Sequence, residues 1–136
     1  MSAEKHKSDS RRWLSQALAD IQAAKKSKDT ESFEWACFQS QQAAEKALKA
    51  LWFHSELDPW GHSVYRLITE FSGDTAIKDL ADDGLLLDKL YIPTRYPNGL
   101  PDLAPHEAYG RRDADGAIEA SEKIMQVVIG LIEKTT

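Results

Sequence analysis

The chain of 136 residues carries 17 basic and 22 acidic side chains, a net charge of −5, and a single cysteine, which excludes an intramolecular disulfide and suits a reducing compartment. Residues 1–28 hold seven basic and three acidic groups, residues 29–90 five and twelve, and residues 91–136 five and seven. The acidic middle repels a polyanion and excludes broad phosphate-backbone binding, so a nucleotide or RNA must be taken by a local pocket.

Met1 to Asp9 lacks the apolar core of a signal peptide, and no run reaches the roughly eighteen apolar residues of a membrane span. The expectation is one cytoplasmic domain over residues 1–136 with no membrane contact. Ser8, Asp9 or Ser10 caps a first helix, leaving residues 1–8 flexible. Its apolar positions Trp13, Ala17, Leu18, Ile21 and Ala24 have helical spacing, and it runs out in Lys25-Lys26-Ser27-Lys28, where cations suit a C-terminus. Asp29 or Thr30 caps a second helix over about 31–55. Its stripe of Phe33, Ala36, Cys37, Ala43, Ala44, Ala47, Leu48 and Leu51 is rich in alanine, which lets neighbouring backbones approach closely. Cys37 reads as a small buried hydrophobe on that stripe.

The turn Leu57-Asp58-Pro59-Trp60-Gly61 precedes a third helix over about 60–72, which buries Val64, Leu67, Ile68 and Phe71 and stops at Ser72-Gly73-Asp74. A fourth, over about 75–90, offers Ile77, Leu80, Leu86, Leu87 and Leu90, with Gly84 a weak point costing about 1 kcal/mol relative to alanine. Pro93, Pro97, Pro101 and Pro105 then forbid a helix or a central strand across 92–105. Tyr91 and Tyr96 argue that this loop is ordered, because disordered segments are poor in aromatics. Asp113 caps a last helix to about 133, with Ala117, Ile118, Ser121, Ile124, Met125, Val128, Ile129 and Ile132 on its inner side. No segment alternates with period two over more than four residues. The fold class is all-α: an up-and-down four-helix bundle with an additional short helix and a long ordered proline-rich loop before the last helix.

The chemistry concentrates in that loop. Arg95 lies between Tyr91 and Tyr96, and a planar guanidinium beside aromatic rings binds phosphate or carboxylate with stacking available for a base. The competing reading ties Arg95 to carbonyls at a helix C-terminus. His62, in Trp60-Gly61-His62-Ser63, is either a hydrogen-bonded structural histidine or a general acid or base near Arg95. Gln42, Glu45, Lys46 and Lys49 share one flank of the second helix. That flank is either a solvated face with a Glu45–Lys49 pair or a polar edge turned to the loop or to a second subunit. His6, His54, His62 and His106 have no metal-ligand spacing among themselves or with Cys37, so neither metal nor cofactor is expected. Trp13, Trp35, Trp52 and Trp60 serve as core or interface anchors, and two on one outer face would favour a dimer.

Read together, several segments carry a resemblance: Trp13 with Ala17 and Asp20-Ile21; the run from Cys37 through Gln41-Gln42-Ala43-Ala44-Glu45-Lys46-Ala47-Leu48-Lys49 to Leu51; His62-Ser63-Val64 with Leu67; Leu87-Asp88; Tyr91-Ile92-Pro93-Thr94-Arg95-Tyr96-Pro97; and Ala114 with Ala120. Nearly the whole chain resembles the HEPN family, the higher eukaryotes and prokaryotes nucleotide-binding domain. The resemblance implies a four- or five-helix bundle that forms a homodimer, and a minimal nucleotidyltransferase partner, often in a toxin–antitoxin pair. It also implies, for many members, metal-independent RNA cleavage by an arginine followed four to six residues later by a histidine. This chain departs from that pattern: His106 is eleven positions after Arg95, and no histidine follows Arg111 or Arg112. The leading expectation is a dimeric nucleotide-binding or nucleotidyltransferase-partner module with ligand contacts at Arg95, Tyr91, Tyr96, His62, Gln42, Glu45, Lys46 and Lys49. The alternative is a ribonuclease in which Arg95 stabilises charge and His62 or His106 moves the proton.

Overall fold

Three long helices set the frame: α1 (Ala3–Asp29), α2 (Phe33–His54) and, at the end of the chain, α6 (Arg111–Lys134). Between α2 and α6 lie three shorter helices, α3 (Val64–Thr69), α4 (Ala81–Asp88) and α5 (Pro105–Ala108), with 3-10 turns at Thr75–Leu80 and Pro97–Gly99. These come from a computed structural model that describes residues 2–135, all helix, turn and loop, with no strand among the described residues.

The alanine stripe of α2 is the centre of the core. Ala36, Cys37, Ala43, Ala44, Ala47 and Leu48 are fully buried, as are Ala17 and Ala24 of α1 and Ala114, Ala117, Ile124 and Val128 of α6. Small side chains on facing stripes let α1 and α6 close on α2 from either side. Trp52 adds a polar anchor, its indole N–H donating to the Leu67 carbonyl at 2.9 Å.

Several ends differ from the sequence expectation, each for a local reason. Helix α1 starts at Ala3, because the Ser2 hydroxyl accepts from the Lys5 amide at 3.1 Å. Ser8–Ser10 are therefore interior: Asp9 pairs with Lys5 and Arg12, both at 3.2 Å, and the Ser10 hydroxyl donates to the Ala50 carbonyl at 2.8 Å. Asp29 and Thr30 finish α1 rather than capping α2, whose N-cap is Ser32. Asp113 lies in the first turn of α6, its carboxylate accepting from the Gly110 amide at 2.9 Å.

Both α1 and α2 close with the same bonds. Ser32 N–H donates to the Ser27 carbonyl and Glu31 N–H to that of Lys28; Leu57 N–H donates to Trp52 and Glu56 N–H to Phe53. This is the Schellman pattern, and the residue in the left-handed position is Glu31 (φ 64°) in one case and Glu56 (φ 60°) in the other.

The third helix is much shorter than 60–72. Its N-cap is Ser63, with the hydroxyl accepting from the Arg66 amide at 3.1 Å, and Gly61 at φ 78° turns the chain just before it. Asp88 at the end of α4 completes the cap, accepting from the Ser63 hydroxyl and the Val64 amide, both at 2.6 Å. Gly84 makes this docking feasible. A Cβ there would stand 2.9 Å from the Tyr65 Cα, so the residue read as a helix weakness is the contact point of α3 and α4.

Candidate functional site

The proline loop folds onto the N-terminal half of α2. The Thr94 hydroxyl donates to the Leu90 carbonyl at 2.6 Å, and the Arg95 amide donates to Ile92 at 3.1 Å. Pro97 then starts the 3-10 turn, and Pro105 starts α5, positions where a missing N–H leaves no helical bond unmade.

This path brings Arg95 into an aromatic nest. Its guanidinium carbon lies 4.3 Å from the Phe38 ring centroid, 4.8 Å from Tyr91 and 5.3 Å from Tyr96. Its Nε donates to the Tyr91 carbonyl at 2.9 Å. One donor thus ties the loop to a carbonyl just beyond α4, and no carboxylate pairs with the group among the described residues. The remaining donors are free for an anion.

The rings continue as a row. Trp35 meets Phe38 edge-on at 6.1 Å, Phe38 lies 6.3 Å from Tyr91, and Tyr91 stacks on His62 at 5.1 Å. His62 thereby joins the Arg95 neighbourhood through Tyr91. Its Nδ1 lies 3.2 Å from Glu45 Oε2. Glu45 is buried, and it accepts from Lys49 Nζ and from Gln41 Nε2, each at 3.1 Å. Gln41 also donates to the His62 carbonyl at 3.2 Å, fixing the loop to α2.

The α2 flank is therefore not a solvated face. Glu45 and Lys49 are buried, Lys49 lies 5.3 Å from the Trp13 ring centroid, and Lys46 turns to α1, where it pairs with Asp20 at 2.7 Å. Gln42 donates to the Gln41 side chain at 2.8 Å. Of these four, Glu45 alone contacts another residue of the candidate set outside α2, namely His62; Lys46 and Lys49 brace α1 against α2, and Gln42 bonds within α2.

A cleft of about 350 Å³ at the far end of the bundle is larger, but the cleft beside Arg95 holds the candidate chemistry. It encloses about 270 Å³ between Glu34, Trp35, Thr94, Arg95, Pro97, Ala104, Pro105 and His106. Arg95 and His106 thus line the same cleft, although eleven positions separate them. Phe38 and Trp35 are the site residues that sequence reasoning passed over. Phe38 stood inside the quoted motif, but only the folded loop shows that it carries the guanidinium.

Cys37 lies close behind. Burial, with the carboxylates of Asp113 and Glu34 adding, pushes its thiol up from 9.0 to about 12. Burial, then Cys37 and Asp113, also raises the Tyr109 hydroxyl. A buried thiol held neutral in this way is a poor nucleophile. Among the described residues, no group of three or more His, Cys, Asp and Glu is placed to hold a metal ion, and no helix is long and apolar enough to cross a membrane.

The model of the HEPN domain matches residues 10–133. Among solved structures, TT1696 from Thermus thermophilus is 38% identical, with 89% of this chain and 96% of that chain covered and a TM-score of 0.86. ST0689, an archaeal HEPN homologue, is 36% identical over 90% and 97%, with a TM-score of 0.77. The HEPN domain protein tm0613 from Thermotoga maritima is 31% identical over 90% and 98%, with a TM-score of 0.68. A comparison with curated proteins finds no match.

Proposed function

The chain belongs to the HEPN domain family, and from that premise we propose that it binds a nucleotide in the cleft beside Arg95. One observation carries the reading: a guanidinium held by three rings and one carbonyl, with no carboxylate partner among the described residues, on the wall of a cleft. The phosphate takes the free guanidinium donors. Trp35, 47% exposed, supplies a stacking face for the base, and Glu34 accepts from ribose hydroxyls. The exposed ring of Trp35 at this site favours its use by a homodimer or a minimal nucleotidyltransferase partner, in a toxin–antitoxin arrangement.

Calorimetry with AMP and GMP tests this directly. Wild-type protein is expected to bind one of them, with Arg95→Ala weakening it at least about tenfold, the order of one lost charge-assisted contact. Equal binding by both proteins, or none by wild type, overturns it.

A second reading rests on Arg95 and His106 sharing the cleft. There an RNA 2′-hydroxyl gives up its proton and attacks the adjacent phosphorus, the P–O5′ bond breaks as the 5′-oxygen takes up a proton, a 2′,3′-cyclic phosphate remains, and Arg95 offsets the charge on the phosphorane oxygens. His106 suits the proton transfer better than His62, whose Nδ1 is already engaged by Glu45. Labelled RNA incubated with wild type, Arg95→Ala, His106→Ala and His62→Ala separates these roles. Cleavage unaffected by Arg95→Ala and His106→Ala sinks the ribonuclease.

A further inference from the structure

The N-terminal half of α1 is basic, and four of the seven Lys and Arg side chains on this helix lie against a carboxylate, two of them sharing one. Lys5 and Arg12 pair with Asp9, Lys25 with Glu122, and Lys28 with Asp115. Lys26, in the last turn, lacks a carboxylate among the described residues as well, but Lys7 and Arg11 lie together. They stand one turn apart on one face, where like charges repel, and neither has a partner among the described residues.

Both line the cleft of about 350 Å³ at the end of the bundle where α1 begins and α2 and α6 finish. Its remaining walls are Ser10, Leu14, His54, Ile132 and Thr135, with no acidic side chain among them. The floor is built rather than loose. Ser10 is buried, with its hydroxyl committed to the Ala50 carbonyl, and His54 Nε2 lies 2.6 Å from the Thr135 hydroxyl. Those groups hold the three helix ends together and leave Lys7 and Arg11 to face the space. The cleft is remote from the Arg95 nest: the sixteen residue steps of α2 from Phe38 to His54 span about 24 Å.

We propose that this cleft is a second anion site, taking the phosphoryl group of a small organic phosphate. Two fixed positive charges match a phosphate monoester dianion, with Arg11 offering a bidentate fork and Lys7 a point charge. Leu14 and Ile132 give the organic portion an apolar wall. The volume lies at the low end of the roughly 300–1,000 Å³ typical of small-molecule sites, so the ligand is mononucleotide-sized or smaller. The acidic middle of the chain keeps longer polyanions away.

Phenyl phosphate is the probe, titrated calorimetrically into full-length Arg95→Ala protein so that the first cleft contributes nothing. The expected result is saturable binding that weakens at least tenfold when Lys7→Ala and Arg11→Ala are added. Both residues are exposed, and superimposable circular dichroism spectra establish that the fold is kept. Inorganic phosphate should bind more weakly than phenyl phosphate, because it leaves the apolar wall unused. Benzoate should bind more weakly still. No binding by the Arg95→Ala parent, binding unchanged by the Lys7 and Arg11 substitutions, or tighter binding of benzoate overturns the proposal. Loss of AMP binding in Arg95→Ala bears only on the first cleft.

Discussion

The imidazole of His62 lies against the phenol ring of Tyr91, centroids 5.1 Å apart and planes within 18°, while the Arg95 guanidinium stands 4.8 Å from the same ring. Tyr91 is thus shared between the two candidate groups, one from the α2–α3 connection and one from the proline loop. Its backbone carbonyl also holds Arg95 Nε. Tyr91→Ala should weaken nucleotide binding by about tenfold, since it removes a ring that holds the Arg95 guanidinium, a cation–π contact of about 0.5–2 kcal/mol. Tyr91→Phe should leave it nearly unchanged. Equal loss in both variants would mean that the hydroxyl, not the ring, matters.

Glu45 is the buried hinge of the same arrangement. Its side chain is 5% exposed and that of Lys49 10%, so removing one charge strands the other away from water. Glu45→Gln should destabilise the protein by about 3 kcal/mol, as expected for half of a buried pair, measured by urea denaturation. Replacing both residues, Glu45→Leu with Lys49→Met, should cost far less. A double variant whose loss equals the sum of the singles would show that the pair is not coupled. The His62 contact adds little to this balance, because that side chain is 60% exposed.

The ends of α1 and α2 offer a gain. Glu31 and Glu56 hold left-handed backbone at φ 64° and 60°, which costs a residue with a Cβ about 1–2 kcal/mol. Glu31→Gly and Glu56→Gly should each stabilise the protein by about 0.5–1 kcal/mol, the remainder being lost to glycine's freedom in the unfolded chain. Thermal melts with both substitutions should show additive increases, since one turn closes α1, just before α2 begins, and the other closes α2 at its far end. A fall in stability would place the strain elsewhere.

Gly84 should behave in the opposite way. Helix propensity alone favours alanine by about 1 kcal/mol, yet a Cβ would press on the Tyr65 backbone at 2.9 and 3.0 Å. Backbone cannot step aside as a side-chain tip does. Gly84→Ala should therefore lower stability by about 1–3 kcal/mol, and α3 and its neighbour His62 should show faster amide exchange. An alanine variant as stable as wild type would mean that α3 slides freely on α4.

The helical pattern was legible along most of the long apolar stripes, although Leu18, assigned to that of α1, is exposed. Ala36 to Leu51 and Ala117 to Val128 are buried in the positions that 3.6-residue spacing assigns. Helix ends were less legible, because the deciding groups are distant or atypical. Asp88 caps α3 from twenty-five residues beyond Ser63, and two glutamates occupy turns that glycine ordinarily marks. Arg95 stood out through its tyrosines, but Phe38, its nearest ring partner, belongs to a helix more than fifty residues earlier. The burial of Glu45 with Lys49 was hidden for a related reason: charge at four-residue spacing reads as surface until a neighbouring helix covers it.

Cys37 supplies a test that reads the core beside the cleft. Folding raises its thiol from 9.0 to about 12, chiefly by burial and then by Asp113 and Glu34. The unfolded chain releases this proton first as pH rises, so the stabilisation from keeping the thiol neutral is whole below pH 9. It is lost progressively between pH 9 and about 12, with a limiting slope of about 1.4 kcal/mol per pH unit for one proton. Lysine and tyrosine titrations overlap that window, which makes the difference between wild type and Cys37→Ala the informative quantity. Alanine should cost stability at pH 8 through the lost sulfur packing, and the gap should narrow by pH 10.5. Iodoacetamide at pH 8 should leave the native thiol unmodified and label it completely in urea. Native labelling at the rate of a free thiol, or a gap that is constant with pH, would place Cys37 in contact with water and remove it from the core behind Arg95.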